Sequence, residues 1–485
     1  YDKFNVRLDN KFGTALSGFV RYGQQINEAF APVSNAVSMV IFYALPIGDV
    51  RVPLVVVWLI AAGIILTFAL KFVNLRGFAH AVKLVTRKRG DAEGDGEISH
   101  FEALASALSG TVGLGNIASV PVAIALGGPG AMFWMILAGF FGMSAKFAEC
   151  SLAVKYRKIA PDGRVIGGPM FYIESAFTRL GLAPVGKGAA IFFAVAAMGA
   201  SVSVFQVNQS HAQFANATGV SAPLAFGVVM AGLVAVVILG GIKRIARVSS
   251  LLVPMMGLLY VGAGLVILAM NASAIPAAIE TIFRSAFGLD AAAGGLVGAL
   301  INGVRRATYS KEAGVGSSAL KTKEPMTEGY VALLEPFIDT IVVCSITALV
   351  VVVTGAYLPF LFDTDVRGIE ITSAAFASAF SWFPYLLLVA SMLFAFTTLV
   401  SWSYYGAQAA AYLFGASRTV DVTFKLVLCM MLSTGAAISL SSIIDFIDSM
   451  LFAMCIPNIV ALYILLPELK RDNAAYAAKY IARKT

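Results

Sequence analysis

Three groups of residues in this chain carry chemistry that their surroundings do not. Ser109-Gly110-Thr111-Val112-Gly113-Leu114-Gly115-Asn116 sets three glycines and an asparagine in the middle of an apolar run long enough to cross a bilayer. Each glycine weakens a helix and bares backbone groups where no water can satisfy them. A helix interrupted at that depth can turn its freed amides toward an anionic group and its carbonyls toward a cation. A second run packs Gly294, Gly295, Gly298 and Gly303 beside Arg305, Arg306, Lys311 and Glu312. An unbroken helix would carry those charges into hydrocarbon at a cost of several kcal/mol each, so a break is expected over Arg306–Ser310. The third group is the adjacent pair Thr397 and Thr398, after the apolar Leu393-Phe394-Ala395-Phe396. Their hydroxyl oxygens suit an alkali cation, which takes oxygen ligands without needing net anionic charge.

Each group has a plainer reading. Gly294, Gly295 and Gly298 would let helices pack closely, Asn116 could cap a helix, and helix threonines can bond back to their own i−4 carbonyls.

The elements that position these groups are membrane helices. Of 485 residues, 59% are hydrophobic and 13% charged, and the mean hydropathy is +0.83, outside the range of an ordinary soluble domain. Apolar runs of about 20 residues lie near Val52–Val73, His100–Leu126, Pro129–Tyr156, Gly188–Ala215, Pro223–Gly241, Val248–Met270, Ala293–Gly314, Gly329–Tyr357, Pro384–Phe414, Thr419–Leu440 and Ile443–Leu466. Two interruptions five spans apart run in opposite directions across the membrane, the pattern of an inverted repeat with a site at its centre.

Alternate connections are basic: Lys83, Arg87, Lys88 and Arg89, then Arg157 and Lys158, then Lys243, Arg244 and Arg247, then Lys321 and Lys323, then Arg418 and Lys425. Lys and Arg beside short loops stay in the cytoplasm, so the N-terminus is expected outside and the C-terminus inside. The formal net charge of +8 follows from that topology and requires no nucleic-acid partner. Residues 1–51 read as an outer-surface segment. Gly167 to Leu180, Ile275 to Phe287 and Ile369 to Ser381 read as short helices lying along the membrane surface.

The other candidates read as structural. Lys146 and Glu149 have the i, i+3 spacing of an ion pair. Asp448 is a candidate gate residue, and Glu335, Asp339 and Asp445 lie toward helix ends or bundle-facing positions. Cys150, Cys344, Cys429 and Cys455 fall within spans, where a thiol behaves as a small apolar group. No GxxxxGK[ST] phosphate loop supports ATP-driven transport, and no HExxH cluster supports an enzyme.

Phe101-Glu102-Ala103-Leu104, Thr111 to Ile117, Gly127-Gly128-Pro129-Gly130-Ala131-Met132-Phe133-Trp134-Met135, Gly167-Gly168-Pro169-Met170 and Ser310-Lys311-Glu312-Ala313-Gly314 resemble the alanine/glycine:cation symporter family from about Ile98 to Asn458. Gly113 to Asn116 also resembles the bacterial leucine transporter, whose fold of two inverted five-helix repeats that family is understood to share. The resemblance implies an all-α polytopic membrane protein with broken first and sixth core helices and one extra N-terminal helix. It would be organised as an extra transmembrane helix (52–73), a first repeat (98–271), a second repeat (272–466) and a cytoplasmic tail (467–485).

With that frame, a zwitterionic amino acid would place its carboxylate on the amides of Gly113, Leu114 and Gly115 and its ammonium on carbonyls of the broken stretch around Ala307, Thr308 and Tyr309. Asn116 and Gln206 match site positions of the family. Tyr309 and Trp402 could wall the pocket, with ordinary packing the plainer reading of Trp402, while Asn208, Gln209 and His211 would bond between helices. By resemblance to the leucine transporter, a sodium ion would be held by Thr397, Thr398 and the Phe394 carbonyl, facing the Ser109 and Val112 carbonyls.

The expected function is sodium-coupled import of a small neutral amino acid by alternating access in a bacterial plasma (inner) membrane. Alanine, glycine or a polar relative such as serine or glutamine is the expected substrate. Proton-coupled transport, a channel and a transporter-like receptor are the alternatives. The chain departs from the family pattern GVARGLFSNEAG at Arg305, Ala307, Thr308, Tyr309 and Lys311, and carries Leu114 and Ser119 where threonine and glycine are common. Alanine or glycine therefore does not follow from the resemblance alone.

Overall fold

A computed structural model of the chain describes residues 28, 31–47, 50–86, 100–159, 165–288, 295–316, 324–361 and 368–481. The short helix α1 (Ala31–Ile41) leads into an antiparallel hairpin of β1 (Ala44–Ile47) and β2 (Val50–Pro53). Val52 and Pro53 belong to that hairpin, so the first apolar helix, α2, runs over Leu54–Ala69. After α3 (Phe78–Thr86) comes the interrupted run: α4 (His100–Thr111) and α5 (Val120–Gly127) are joined through a π-helical turn at Gly115–Ser119. The two arms are bent by 45°.

The long helix α6 (Ala131–Lys155) follows. A small hairpin, β3 (Lys158–Ile159) and β4 (Val165–Ile166), leads to α7 (Pro169–Arg179). The chain continues through α8 (Ala183–Ser201), α9 (Val204–Thr218), α10 (Pro223–Ile238), α11 (Gly241–Met270) and α12 (Ile275–Ala286). Next come α13 (Gly295–Lys311), α14 (Pro325–Ala332) and α15 (Ser345–Thr354), the last two joined by a π-helical turn at Phe337–Cys344. The remaining helices are α16 (Ile369–Ala377), α17 (Phe383–Phe414), α18 (Arg418–Thr434) and α19 (Leu440–Tyr480). Pro169, Pro223, Pro325 and Pro384 stand in the first turns of their helices, where a missing N–H costs nothing.

Among the described residues seven helices are long and apolar enough to cross a bilayer, or eight with the bent pair counted as one span. The shorter α2, α10 and α13 occupy the remaining expected spans. Apart from two small hairpins, the described chain is helical, and α6 runs through its centre with an unbroken buried stretch from Gly142 to Val154.

Several expectations are corrected. The helix is not broken over Arg306–Ser310: α13 is helical through Lys311, and the chain turns at Glu312, whose φ of 53° is left-handed. The charges are satisfied by distant partners instead of by unwinding, since Arg305 and Arg306 both pair with Asp448 of α19. The span expected over Gly188–Ala215 is interrupted where Ser203 takes a φ of 43° between α8 and α9. The helix expected on the surface at Ile369–Ser381 is tucked inward, with Ile369, Ile371, Thr372, Ala375 and Phe376 buried. Thr372 donates to the Ile117 carbonyl of the π turn at 2.6 Å, so this segment closes over the interrupted helix.

Lys146 does not pair with Glu149. It faces Glu335 at 3.1 Å, both groups being buried, whereas Glu149 accepts from Asn458 Nδ2 at 2.7 Å and from the Gly316 amide at 3.1 Å. Removing one partner of a buried pair strands the other charge. Lys146→Met is expected to destabilise the bundle by about 3–5 kcal/mol, measured as earlier unfolding on heating in detergent.

Candidate functional site

The interrupted helix, α13, the start of α9 and the middle of α17 surround a small cavity. Gly110, Thr111, Gly115, Gln206, Tyr309, Glu312, Thr398 and Trp402 line it, with Ala200, Ser203, Ile447 and Leu451 completing the wall. Of the residues expected at a substrate site, Gly115, Gln206, Tyr309 and Trp402 therefore converge, together with Thr398 from the expected ion site. Gly113, Leu114, Asn116, Ala307 and Thr308 are not part of the lining.

Backbone demand explains part of that separation, because a buried N–H must find an acceptor. The Gly113 amide donates to Asn116 Oδ1 at 2.9 Å and the Leu114 amide to Gln206 Oε1 at 3.0 Å. Two of the amides expected to be open are thus capped by side chains. Asn116 turns its amide nitrogen the other way, donating to the Asp339 carboxylate at 2.7 Å and its carbonyl at 3.0 Å. Ser310 and Thr340 donate to the same carboxylate, at 2.7 and 2.8 Å. The π turn between α14 and α15 thereby ties Asp339 to the interrupted helix. Asn116 acts here as a cap and a strut.

On α13, Thr308 Oγ1 donates to the Val304 carbonyl at 2.8 Å, and the Glu312 amide to the Thr308 carbonyl at 3.1 Å. The Ala307–Tyr309 stretch stays within the helix, so it does not offer the unwound carbonyls expected for an ammonium. Tyr309 packs edge-on against Phe205, ring centroids 5.0 Å apart, and lies against Gly115, where an added Cβ would come within 3.2 Å of its ring. Residue typing missed Glu312. It is the one charged side chain among the cavity-lining residues, and its Oε1 accepts from the Trp402 indole nitrogen at 2.6 Å. Its place directly after the charged run of α13 was the available signal.

The two threonines of α17 differ. Thr397 Oγ1 donates to the Leu393 carbonyl at 3.0 Å, lies 3.2 Å from the Phe394 carbonyl, and faces Met256 Sδ at 3.4 Å. Its hydroxyl is satisfied within its own helix. Among the described residues Thr398 Oγ1 is buried without a hydrogen-bond partner, and it lies directly against Gly113, where an added Cβ would collide with it. The Ser109 hydroxyl is bonded to the Ser106 carbonyl at 2.8 Å, to Ser249 at 3.0 Å and to Ser401. Val112 and Phe394 are buried in the core.

Farther along α9, Asn208 donates to the Ile438 carbonyl at 2.8 Å and Gln209 accepts from the Ile369 amide at 2.9 Å, so both link helices as expected. His211 does not: among the described residues its Nε2 is buried without a hydrogen bond, and the ring packs edge-on against Phe226. On one side of the cavity the Arg305 and Arg306 pair with Asp448 spans α13 and α19.

Comparison with known proteins gives this geometry its context. Residues 42–485 match the model of the sodium:alanine symporter family. The sodium/alanine symporter AgcS of Methanococcus maripaludis is 41% identical over 422 residues, covering 85% of this chain and 92% of that one. Two Bacillus subtilis proteins are also similar. Probable sodium/glutamine symporter GlnT is 31% identical over 85% of each chain, and amino-acid carrier protein AlsT is 30% identical over 86% of this chain and 87% of that one. With a family match over nearly its whole length and these relatives aligned across most of both chains, the chain belongs to the sodium:alanine symporter family.

Proposed function

We propose that this protein is a sodium-coupled symporter that takes up small neutral amino acids by alternating access. The observation that carries the reading is Thr398 Oγ1, a buried hydroxyl without a partner among the described residues, set against the unwound backbone at Gly113. An orphaned oxygen of this kind costs on the order of 1–3 kcal/mol, which an oxygen-seeking cation recovers. The Ser109, Val112 and Phe394 carbonyls and Thr397 complete the proposed sodium site, with Thr398 as its principal side-chain ligand. A sodium relative at 41% identity supports the coupling ion.

The solute sits in the neighbouring cavity. Its carboxylate takes over the Gly113 and Leu114 amides now capped by Asn116 and Gln206, together with the Gly115 amide, where the start of a half-helix favours negative charge. Its ammonium goes to Glu312, held in place by Trp402. Tyr309 closes over the side chain; Ala307 and Thr308 act from behind it, through the packing of α13. Alanine, glycine, serine and glutamine are the substrates to test, the first and last being named for similar proteins. In the plasma membrane the N-terminus lies outside and the tail inside, as the basic connections require. The pairing of Arg305 and Arg306 with Asp448 then bars the outer route, and α16 covers it.

Purified protein in proteoliposomes tests this directly. Labelled alanine is expected to accumulate only under an inward sodium gradient, saturably and with counterflow, and Glu312→Gln is expected to reduce uptake at least tenfold through loss of a charge-assisted hydrogen bond. Accumulation that ignores sodium and follows an imposed pH gradient would replace the reading with proton coupling.

A further inference from the structure

A crevice between α2, α6 and α13 lies apart from the solute cavity. Leu59, Gly63, Trp134, Phe141, Val304 and Ile459 make it almost wholly apolar. Its rim residues Ile60, Leu137 and Leu300 are only half-buried, and the neighbouring α2 residues Val57, Ile65 and Phe68 are exposed, so it opens on the lipid-facing side of the bundle. At its inner end lies Lys311, 3% exposed.

Lys311 differs from the other buried cations. Lys146 has Glu335, Arg306 has Asp448 and Lys425 has Asp421. Among the described residues Lys311 forms no ion pair, and its ammonium, with three donors to place, reaches the Ala138 carbonyl alone. The Asp339 and Glu149 carboxylates attract it only from beyond ion-pair distance, Asp339 being engaged by Asn116, Ser310 and Thr340. Gly142 leaves the room in which the ammonium lies, for a Cβ there would stand 2.8 Å from Nζ.

An anion with an apolar body answers both halves of the site, because a cation in hydrocarbon is stable only when paired. The depth selects its head. Ala138 and Gly142 lie roughly 10–17 Å along α6 from its start, near the middle of the bilayer, where a phospholipid headgroup does not reach. We infer that this crevice binds a fatty-acid-like amphiphile, its carboxylate on Lys311 and its chain along α2 and α6.

The test uses the full chain in nanodiscs of zwitterionic lipid, with labelled palmitate as the probe; it does not depend on transport. Saturable palmitate binding is expected, with hexadecanol, which keeps the chain and lacks the charge, competing at least tenfold less well. Lys311→Met, which preserves volume, is expected to weaken palmitate binding at least tenfold while the protein elutes as a single species. Absence of saturable binding, equal competition by hexadecanol, or unchanged affinity in a folded Lys311→Met protein would each overturn the assignment. Displacement of palmitate by phosphatidylglycerol as effectively as by oleate would overturn the choice of occupant. The alcohol comparison on the unaltered protein decides the matter even where the variant does not fold.

Discussion

Gly113→Ala is expected to abolish sodium-driven uptake while leaving the bundle folded. The added methyl would occupy the place of the Thr398 hydroxyl and come within 3.3 Å of Gln206 Nε2. It therefore closes the gap between the unwound turn and α17 in which the ion is proposed to sit, and presses on the side chain that caps Leu114. Overpacking of this kind costs about 1–3 kcal/mol, which a long helical bundle tolerates, whereas a site defined to tenths of an ångström does not. Gly115→Val is expected to act in the same direction by pushing the Tyr309 ring out of the cavity wall. Gly298→Ala is the control, since a Cβ there meets nothing within 4 Å. Uptake and thermal unfolding measured on the three proteins side by side check the claim; transport by Gly113→Ala at the Gly298→Ala level would show that the ion sits elsewhere.

The second large effect separates two adjacent threonines. Thr398→Ala is expected to raise the sodium concentration for half-maximal uptake at least tenfold, since a ligand oxygen to a charged group is worth roughly 1.5–3 kcal/mol. Thr397→Ala is expected to move it much less, because that hydroxyl already donates to the Leu393 carbonyl. Sodium titrations of alanine uptake read both values. Equal shifts would place the ion between the two side chains and against the geometry found here.

What could be read from the chain alone divides along physical lines. The interruption at Gly113–Asn116 was legible because its cause is local: glycines in an apolar run cannot sustain a helix without outside help. The break assigned to Arg306–Ser310 failed for the complementary reason. Arg305 and Arg306 keep α13 intact through Asp448, about 140 residues away in the chain, and no local pattern reveals that partner. The same blindness paired Lys146 with Glu149, its neighbour one turn on, in place of Glu335. Ser203 gave no warning of a left-handed turn, since neither glycine nor proline marks it. At the candidate site, Gln206, Tyr309 and the α17 pair Thr398 and Trp402 came together from three well-separated stretches. Asn116 was left between two roles that only the position of Asp339 could decide.

α19 carries a further implication. It is one helix of 41 residues, with Asp448 near one end bonded to α13. Toward the other end, Glu468 takes Lys155, Arg179 and Tyr156, while Asp472 also takes Lys155. The two acidic stations are 20 residues apart, roughly 30 Å, about the thickness of the bilayer's hydrocarbon. Between them Asn458, directly after Pro457, is pinned to Glu149 and to the Gly314 carbonyl. Held at two stations a hydrocarbon thickness apart and tied between them beside a proline, one helix thus links the ion pairs that lie near the two faces of the bundle.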